Sequence, residues 1–288
     1  YIKASDLIIN IGHDVVEKPP FFMEHGGSEV IHINFKSAKV DQIYFPQIEV
    51  VGHIMLSLER LIQIIETPSQ YDLTDFEKVR DNVLSAINEK ADSDDFPLKP
   101  QRVVSEIRKL MGYHDIIALD NGVYKIWFAR NYPAYQPNSI LLDNALATMG
   151  AGLPSAMMAA MLFEKRKVVA ICGDGGFMMN SQEIETAVRL SLNLVVIVLN
   201  DSSYGMIRWK QSGAGFADWG LEYKNPDFIA YAKSYGAHGH RISSAENLYE
   251  TLQTAFNAGG VHLIDVPVDY SENVKYLITD LAEHKSII

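Results

Sequence analysis

The sequence has little cysteine, no long apolar run and no excess of basic residues. The single cysteine, Cys172, cannot form a disulfide within the chain, which favours a reducing compartment. No apolar stretch approaches the roughly 18–20 residues of a membrane helix, and no signal peptide is visible. Acidic residues number 36 against 25 basic ones, a formal charge of 25 − 36 = −11, so a nucleic-acid partner is not expected. We therefore expect a cytoplasmic protein that binds neither nucleic acid nor a membrane.

The remaining composition is that of an ordinary globular protein. Apolar residues make up 48% and charged residues 21%, which excludes disordered, collagen-like and low-complexity classes. At roughly 100–200 residues per domain, the 288 residues correspond to about two domains. The chain begins Tyr1-Ile2-Lys3 without Met and soon enters an apolar segment, so we expect it to be a fragment of a longer protein.

Apolar runs alternate with amphipathic stretches along most of the chain. Several runs are continuous in Val, Ile and Leu, as in strands of a parallel sheet that is buried on both faces. The predicted strands are Asp6–Ile11, Val30–Phe35, Ile116–Asp120, Ile140–Leu142, Val168–Cys172, Leu194–Leu199 and Leu263–Val268. The predicted helices include Gln101–Met111, Leu153–Phe163, Ser181–Leu190 and Ala245–Phe256. This alternation predicts an α/β fold with a doubly wound parallel sheet.

A change in composition divides the chain. Residues 67–100 are polar and acidic and close with two prolines, Pro97 and Pro100, which is typical of a linker on a surface. This linker could hold one helix, Asp75–Glu89. We predict one unit over residues 1–66 and another over residues 101–288. The first unit has only two or three strands, so it resembles the second half of a domain more than an independent core.

The densest group of chemically informative residues lies between positions 168 and 211. One predicted strand runs into Gly173-Asp174-Gly175-Gly176, and the next runs into Asn200-Asp201, with a helix between them. We expect Asn180 and Glu183 to form the capping box of that helix. Parallel strands joined by a helix end at the same edge of a sheet, so adjacent strands would bring Asp174 and Asp201 together there.

Two carboxylates that meet without a cation repel each other. A Mg²⁺ ion between them would remove the repulsion, because it takes oxygen ligands and leaves positions for phosphate and water. The glycines beside Asp174 leave backbone N–H groups open to a phosphate. Either half of this pattern alone is more typical of a tight turn. The two halves together, each after a buried strand, predict a site for Mg²⁺ and a diphosphate.

The same residues resemble a known family. Gly173-Asp174-Gly175, with Asn200-Asp201 about 27 residues after the first aspartate, resembles the thiamine-diphosphate motif. The stretches GDGGFMMNSQEIETAVRL and LNDSSYGM resemble acetolactate synthase large subunits, and the resemblance covers essentially the whole chain. It implies the pyrophosphate domain of the thiamine-diphosphate-binding fold for residues 101–288, preceded by the C-terminal part of the central domain. It also implies Asp174, Asp201 and the carbonyl of Ser203 as Mg²⁺ ligands.

The resemblance assigns further residues to the cofactor. Residues 147–154 match the turn T-M-G-x-G-L-P, in which Met149 would support the bent cofactor and backbone groups near Ala147 would hold the aminopyrimidine. Residues 120–127 resemble the loop D-x-G-x-H-x-x-W that touches the diphosphate. Tyr124 stands where the family usually has His, and its hydroxyl can donate one hydrogen bond. The cofactor-binding residues predicted in this way are Met149, Ala147, Asn121, Gly122, Gly173, Gly175, Gly176, Tyr204 and Met206.

The resemblance also implies an activity, the condensation of two pyruvates to 2-acetolactate and CO₂ with thiamine diphosphate and Mg²⁺. The glutamate that the family requires belongs to an N-terminal domain of another subunit, so no catalytic residue is assigned in this chain. We therefore expect the chain to be inactive alone and the protein to be a homodimer or homotetramer. Trp209 comes one place earlier than the tryptophan that selects 2-ketobutyrate in biosynthetic members, and Lys210 takes its position. This departure resembles the catabolic, pyruvate-only type, whereas FAD stays undecided.

Two alternatives stay open. The chain could belong to another thiamine-diphosphate enzyme, such as a pyruvate oxidase, a carboligase or a 2-keto acid decarboxylase, or it could be a non-catalytic assembly module of that fold. Some residues are also typical of packing. Without its motif Met149 suits a core, Trp127 favours helix packing, and Met206 and Trp209 suit a buried helix face about equally well. His238 and His240 lie on one face of a predicted strand and favour a packing or surface role.

Overall fold

The computed structural model describes residues 5–13, 23–65, 72–144 and 146–279. Residues 1–3 at the start of the chain and residues 67–71 of the predicted linker, both interpreted above, lie outside these ranges. The chain divides into two compact units, Tyr1–Val79 and Arg80–Ile288. The division falls inside the predicted linker, within the helix α2 (Thr74–Asn88). This helix confirms the one predicted over Asp75–Glu89.

The first unit contains a three-stranded parallel sheet. Its strands β1 (Leu7–Ile11), β2 (Glu29–Asn34) and β3 (Ile48–Val51) lie in chain order and are followed by α1 (Ile54–Ile64). Val30 of β2 is fully buried, whereas Ile9 of β1 and Ile62 of α1 are 52% and 73% exposed. The described part of this unit therefore leaves much of its apolar surface uncovered.

The second unit is built on a six-stranded parallel sheet with the order β5-β4-β6-β7-β9-β8. The strands are β4 (Ile116–Leu119), β5 (Ile140–Leu142), β6 (Val168–Gly173), β7 (Leu194–Asn200), β8 (His238–Arg241) and β9 (Val261–Pro267). The predicted strands are confirmed to within about two residues at each end. β6, β7 and β9 are buried at every residue but the last, as expected for strands covered on both faces.

Helices cover both faces of this sheet. They are α3 (Pro100–Leu110), α4 (Val123–Asn131), α5 (Gly152–Leu162), α6 (Asp174–Asn180), α7 (Glu183–Arg189), α8 (Gly205–Gly213), α9 (Phe228–Ser234) and α10 (Ala245–Ala258), with a π-helical segment at Lys275–Thr279. One apolar cluster joins α3, α4 and α10 to one sheet face. A second joins α5, α6, α7 and α9 to the other. Successive β6 residues such as Val169 and Ala170 enter opposite clusters, which confirms the doubly wound fold.

The predicted capping box is wrong. α6 begins at Asp174, directly after β6, and ends at Asn180, whereas α7 begins at Glu183. The single helix predicted over Ser181–Leu190 is therefore preceded by a separate short helix, because the glycines after Asp174 allow a turn straight from strand to helix. Asn180 lies at the end of α6, and its Nδ2 donates to the Gly150 carbonyl at 2.8 Å.

Tight turns lead into the strands at the opposite, N-terminal edge of the sheet. Ser191, with φ of 53°, precedes β7, and Gly259 and Gly260, with φ of 69° and 85°, precede β9. The left-handed region costs glycine little, which explains the pair before β9. Asn193 Oδ1 accepts a hydrogen bond from the Gly260 N–H at 2.8 Å, so the turns before β7 and β9 are joined.

Candidate functional site

The strand order reverses between β4 and β6. β5 lies on one side of β4, whereas β6, β7 and β9 lie on the other. Open parallel sheets bind ligands at such a reversal, outside the carboxyl ends of the strands. Asn121 and Gly122 follow β4, Asp174 follows β6 and Asp201 follows β7. β6 and β7 pair directly, which is the condition under which Asp174 and Asp201 were expected to meet, so residues from three parts of the chain converge at this edge.

The converging strand ends form a cleft. All the predicted site residues except Ala147 line it, namely Asn121, Gly122, Met149, Gly173, Asp174, Gly175, Gly176, Asp201, Ser203, Tyr204 and Met206. Ala147 is exposed in the segment before Met149. The carbonyl of its neighbour Thr148 accepts from Asn121 Nδ2 at 2.6 Å, which ties this segment to the loop after β4.

Four donors hold the carboxylate of Asp174. Its Oδ1 accepts from the Gly175 N–H at 2.9 Å and from the Tyr223 hydroxyl at 2.8 Å. Its Oδ2 accepts from the Ser202 N–H at 2.8 Å and from Asn225 Nδ2 at 2.6 Å. Asp174 is only 2% exposed. The four hydrogen bonds replace those that the carboxylate would make to water if it were exposed.

The carboxylate of Asp201 lies in the same electrostatic environment. Desolvation by burial, followed by the negative charge of Asp174, raises the pKa of Asp201 to about 7, and the nearby Arg208 opposes the shift. A carboxyl whose pKa is raised by a second carboxylate is stabilised in its ionised form when a cation lies between the two. Ser203 is buried beside the pair, and its carbonyl accepts from the Tyr223 hydroxyl at 3.4 Å.

Sequence reasoning missed Tyr223 and Asn225, the two side chains that hold Asp174 from a distant loop. They stand 49 and 51 residues from Asp174 along the chain and precede α9. Asn225-Pro226-Asp227 is a signal for a turn before a helix, and Asp227 caps α9 by accepting from two backbone N–H groups. That signal locates the helix start, but nothing in it indicates that the turn approaches β6.

Asp120, directly after β4, is a buried carboxylate that joins two parts of the cleft. Its Oδ1 accepts from the N–H groups of Ala151 and Gly152 at 3.0 and 3.4 Å, so it caps the start of α5 from another element. Its Oδ2 is buried without a partner among the described residues. Burial raises the pKa of Asp120, and hydrogen bonds from nearby backbone N–H groups oppose that shift.

Comparison with known proteins identifies the family. Residues 120–266, just over half of the chain, match the family described as Thiamine pyrophosphate enzyme, C-terminal TPP binding domain. The chain belongs to this family of thiamine pyrophosphate enzymes. The matched residues contain most of the cleft, from the loop after β4 to the end of β9.

Curated relatives of this thiamine pyrophosphate enzyme chain carry related names. "Acetolactate synthase" of Bacillus subtilis (strain 168) is 32% identical over 284 residues, which are 95% of this chain and 48% of the relative. "Acetolactate synthase, catabolic" of Raoultella terrigena is 34% identical over 277 residues, 94% of this chain and 49% of the relative. "Probable acetolactate synthase large subunit" of Methanococcus aeolicus is 29% identical over 288 residues, 94% of this chain and 48% of the relative. The chain spans about half the length of these relatives.

Tyr124 of this thiamine pyrophosphate enzyme chain carries an unpaired hydroxyl at the cleft. The side chain is 4% exposed, and its hydroxyl has no hydrogen-bond partner in the part of the chain that the structure describes. A Cβ added at Gly173 would lie 2.7 Å from its ring, so the glycine makes room for the tyrosine. Burial, followed by the charge of Asp120, raises the pKa of Tyr124 well above its usual value, so the hydroxyl stays a donor.

The residues with packing interpretations fall into two groups. Trp127 is fully buried, packs against Tyr276 and donates to Asn273 Oδ1 at 2.7 Å, which confirms its packing role. Met206 and Trp209 of α8 are partly buried against the same cluster, and Met206 also lines the cleft. Cys172, the last residue of the predicted strand Val168–Cys172, is buried.

The histidines of β8 meet a third histidine that the sequence did not indicate. His238 and His240 both stack on His262 of β9, with ring centroids 4.7 and 5.2 Å apart. His240 Nε2 also lies 3.0 Å from His262 Nδ1, so the three rings pack against one another. Over the described ranges, no three His, Cys, Asp or Glu side chains are arranged to hold a metal. In the same parts of the chain, no helix has the length and apolar character needed to cross a bilayer.

Proposed function

We propose that the protein containing this chain is an acetolactate synthase that condenses two pyruvates to 2-acetolactate and CO₂. The observation that carries the proposal is the meeting of Asp174 and Asp201 at one end of a glycine-lined cleft. It occurs in a thiamine pyrophosphate enzyme chain whose relatives from Bacillus subtilis and Raoultella terrigena are named acetolactate synthases. The name of the Raoultella relative supports the catabolic type, in which pyruvate is both donor and acceptor.

The cleft has the chemistry that Mg²⁺ and a diphosphate require. Two carboxylates and a backbone carbonyl offer hard oxygen ligands and leave positions for phosphate and water oxygens. Asp174, Asp201 and the Ser203 carbonyl would therefore hold Mg²⁺. A Cβ added at Gly175 would lie 2.9 Å from the Tyr204 ring and 2.7 Å from the Tyr223 hydroxyl, so the backbone can be approached only because this residue is glycine.

Thiamine diphosphate, when bound, supplies the carbon acid chemistry by which a 2-keto acid loses CO₂ and transfers its acyl group. This chain would bind and orient it. Asn121, Gly122, Gly173 and Gly176 line the part of the cleft proposed for the diphosphate, together with Tyr124, whose hydroxyl would donate to a phosphate oxygen. Met149, Tyr204 and Met206 would supply the apolar surface for the rings, and backbone groups near Ala147 would face the aminopyrimidine. No catalytic glutamate is assigned in this chain.

The first test is the binding of thiamine diphosphate, measured by calorimetry with and without Mg²⁺. We expect Mg²⁺-dependent binding that is lost in Asp174→Ala and kept in Glu185→Ala. Glu185 is a suitable control because it is half exposed on α7 and pairs only with its helix neighbour Arg189 among the ion pairs described. Binding that does not depend on Mg²⁺, or that survives Asp174→Ala, would contradict the proposed anchor site.

The second test is product analysis with pyruvate, using the protein that contains this chain. The expected products are 2-acetolactate and CO₂, identified by mass spectrometry. Acetaldehyde or acetyl phosphate as the main product would instead indicate a decarboxylase or an oxidase. Cofactor binding without turnover of any 2-keto acid would favour the non-catalytic assembly module.

We further propose that the protein is a homodimer or homotetramer. The support is the apolar surface of α5 and α6, where Met158, Met161, Met178 and Met179 are 39–55% exposed. Sedimentation analysis is expected to give a closed oligomer. A monomer at micromolar concentration in the presence of Mg²⁺ and thiamine diphosphate would refute this part of the proposal.

A further inference from the structure

We propose that Asp265 of β9 is a positioning residue for the carboxylate of Asp174. The connection runs through two amide side chains, Asn200 and Asn225, each of which can be oriented in only one way. The inference rests on the proposed function, because it concerns a residue that the proposed function assigns to Mg²⁺.

The first link lies on neighbouring strands. Asp265 is 2% exposed and stands opposite Arg241 in the register of β8 and β9. Its Oδ2 accepts from Arg241 Nε at 2.9 Å, and its Oδ1 accepts from Asn200 Nδ2 at 2.9 Å. An ionised carboxylate can only accept hydrogen bonds. Asp265 therefore requires that Asn200 turn its nitrogen toward β9 and its oxygen away from it.

The second link leads to the cleft. The oxygen of Asn200 accepts from Asn225 Nδ2 at 3.0 Å and from the Ser202 hydroxyl at 3.3 Å. The same Nδ2 of Asn225 donates to Asp174 Oδ2 at 2.6 Å. If the Asn200 amide were reversed, its nitrogen would face the nitrogen of Asn225 and its oxygen would face Asp265. Both contacts would be repulsive, so Asp265 fixes the direction of the whole relay.

Arg241 closes the relay at its outer end. Its guanidinium bonds to Asp265 and also lies 3.9 Å from the carboxylate of Asp227. Asp227 caps α9 two residues after Asn225. Arg241, which neutralises Asp265, thus also lies near the turn that carries Asn225. The guanidinium therefore links that turn to β9.

The consequence for Asp174 concerns the rotation of its carboxylate. Two backbone N–H groups and the Tyr223 hydroxyl hold it besides Asn225. Without Asp265 the oxygen of Asn200 would no longer be held toward Asn225, and the Asn225 amide would lose the acceptor that helps direct its nitrogen at Asp174. The carboxylate would then gain rotational freedom, which metal binding has to remove. Outer partners of this kind typically change metal affinity by about 10–100-fold.

The experiment measures the Mg²⁺ affinity of the 288-residue chain at saturating thiamine diphosphate. We expect Asp265→Asn to weaken Mg²⁺ binding roughly tenfold, the lower end of that range, because Asp265 acts through two intermediates. The matched control is Glu106→Gln, another buried carboxylate with an arginine partner, which lies on α3. Its affinity is expected to stay within about twofold of the wild type. The melting temperature of each variant is measured in parallel.

A double variant separates positioning from bulk stability. In Asp265→Asn with Arg241→Gln, the glutamine oxygen can accept from the new amide nitrogen at position 265. The amide oxygen then stays turned toward Asn200, so the relay keeps its direction without charge. We expect this double variant to recover most of the Mg²⁺ affinity without recovering the melting temperature.

Three results would overturn the inference. A wild-type chain without Mg²⁺-dependent binding of thiamine diphosphate refutes the proposed function and, with it, the inference. Normal wild-type binding together with an unchanged affinity of Asp265→Asn refutes the inference alone. If affinity falls in proportion to melting temperature in all variants, including Glu106→Gln, Asp265 stabilises the fold and does not position Asp174.

Discussion

Replacing Gly152 by alanine should disturb the contact between α5 and β4. A Cβ at this position would lie 2.6 Å from Asp120 Cβ, 2.8 Å from its backbone N and 3.0 Å from its α-carbon. Non-bonded carbon atoms normally stay about 3.5–4.0 Å apart. The overlap involves backbone atoms of a buried strand end, so a change of side-chain rotamer cannot relieve it. The start of α5 would have to move away from Asp120.

The energetic cost follows from the two interactions that such a movement affects. Overpacking a well-packed site costs about 1–3 kcal/mol, and loss of a helix cap costs about 1 kcal/mol. The sum of about 2–4 kcal/mol corresponds to a fall in melting temperature of roughly 5–15 °C for a unit of this size. The loss of the cap follows because the Asp120 Oδ1 bonds to the N–H groups of Ala151 and Gly152 would lengthen.

The assay is thermal unfolding followed by circular dichroism, with Gly213→Ala as the matched control. Gly213 ends α8, and no described atom lies within 4 Å of a Cβ added there. Its substitution is expected to leave the melting temperature within about 1–2 °C of the wild type or to raise it slightly. A Gly152→Ala variant as stable as Gly213→Ala would refute the argument that the contact with Asp120 requires a glycine.

Three further predictions concern the cleft and the histidines. Tyr124→Phe removes an unpaired hydroxyl that would bind a phosphate, so calorimetry should show binding of thiamine diphosphate weakened roughly tenfold or more. The melting temperature of the cofactor-free chain should stay unchanged or rise slightly. Burial is the chief reason that the pKa of Asp201 is raised to about 7, and the ionised form is the proposed Mg²⁺ ligand. The Mg²⁺ affinity should therefore fall as pH drops from about 8 to 6. Asp201→Asn should abolish this dependence of affinity on pH. Burial lowers the pKa values of His240 and His262. The unfolded chain therefore binds more protons below about pH 6.5, so the melting temperature should fall as pH drops through and below that value, and less steeply in His262→Gln.

Much of the second unit could be predicted because parallel strands leave a strong sequence pattern. The runs that became β6 and β7 are apolar at every position that faces a helix layer, and both faces are covered. The meeting of Asp174 and Asp201 followed from the same pattern, since neighbouring parallel strands end together.

The parts that could not be predicted depend on loops whose paths no periodicity records. Tyr223 and Asn225 approach Asp174 because the segment before α9 returns to the cleft. The wrong capping box at Asn180 has a similar origin. An asparagine three residues before a glutamate is as compatible with the end of a preceding helix as with the cap of a following one. In the sequence, Asp265 is one polar residue in an apolar strand. Its proposed role follows only from its hydrogen bonds with Asn200 and Arg241.

The two edges of the six-stranded sheet, at the carboxyl and amino ends of its strands, have different roles. Asp174 and Asp201 lie at the strand ends of one edge and line the cleft together with Tyr124, whose hydroxyl is unpaired among the described residues. The turns at the other edge, with Ser191, Asn193 and Gly259, reverse the chain before β7 and β9 and are joined by a hydrogen bond. Removal of an unpaired polar atom beside the cleft, as in Tyr124→Phe, should therefore alter binding at nearly constant stability, whereas changes in the opposite turns should alter stability at nearly constant binding.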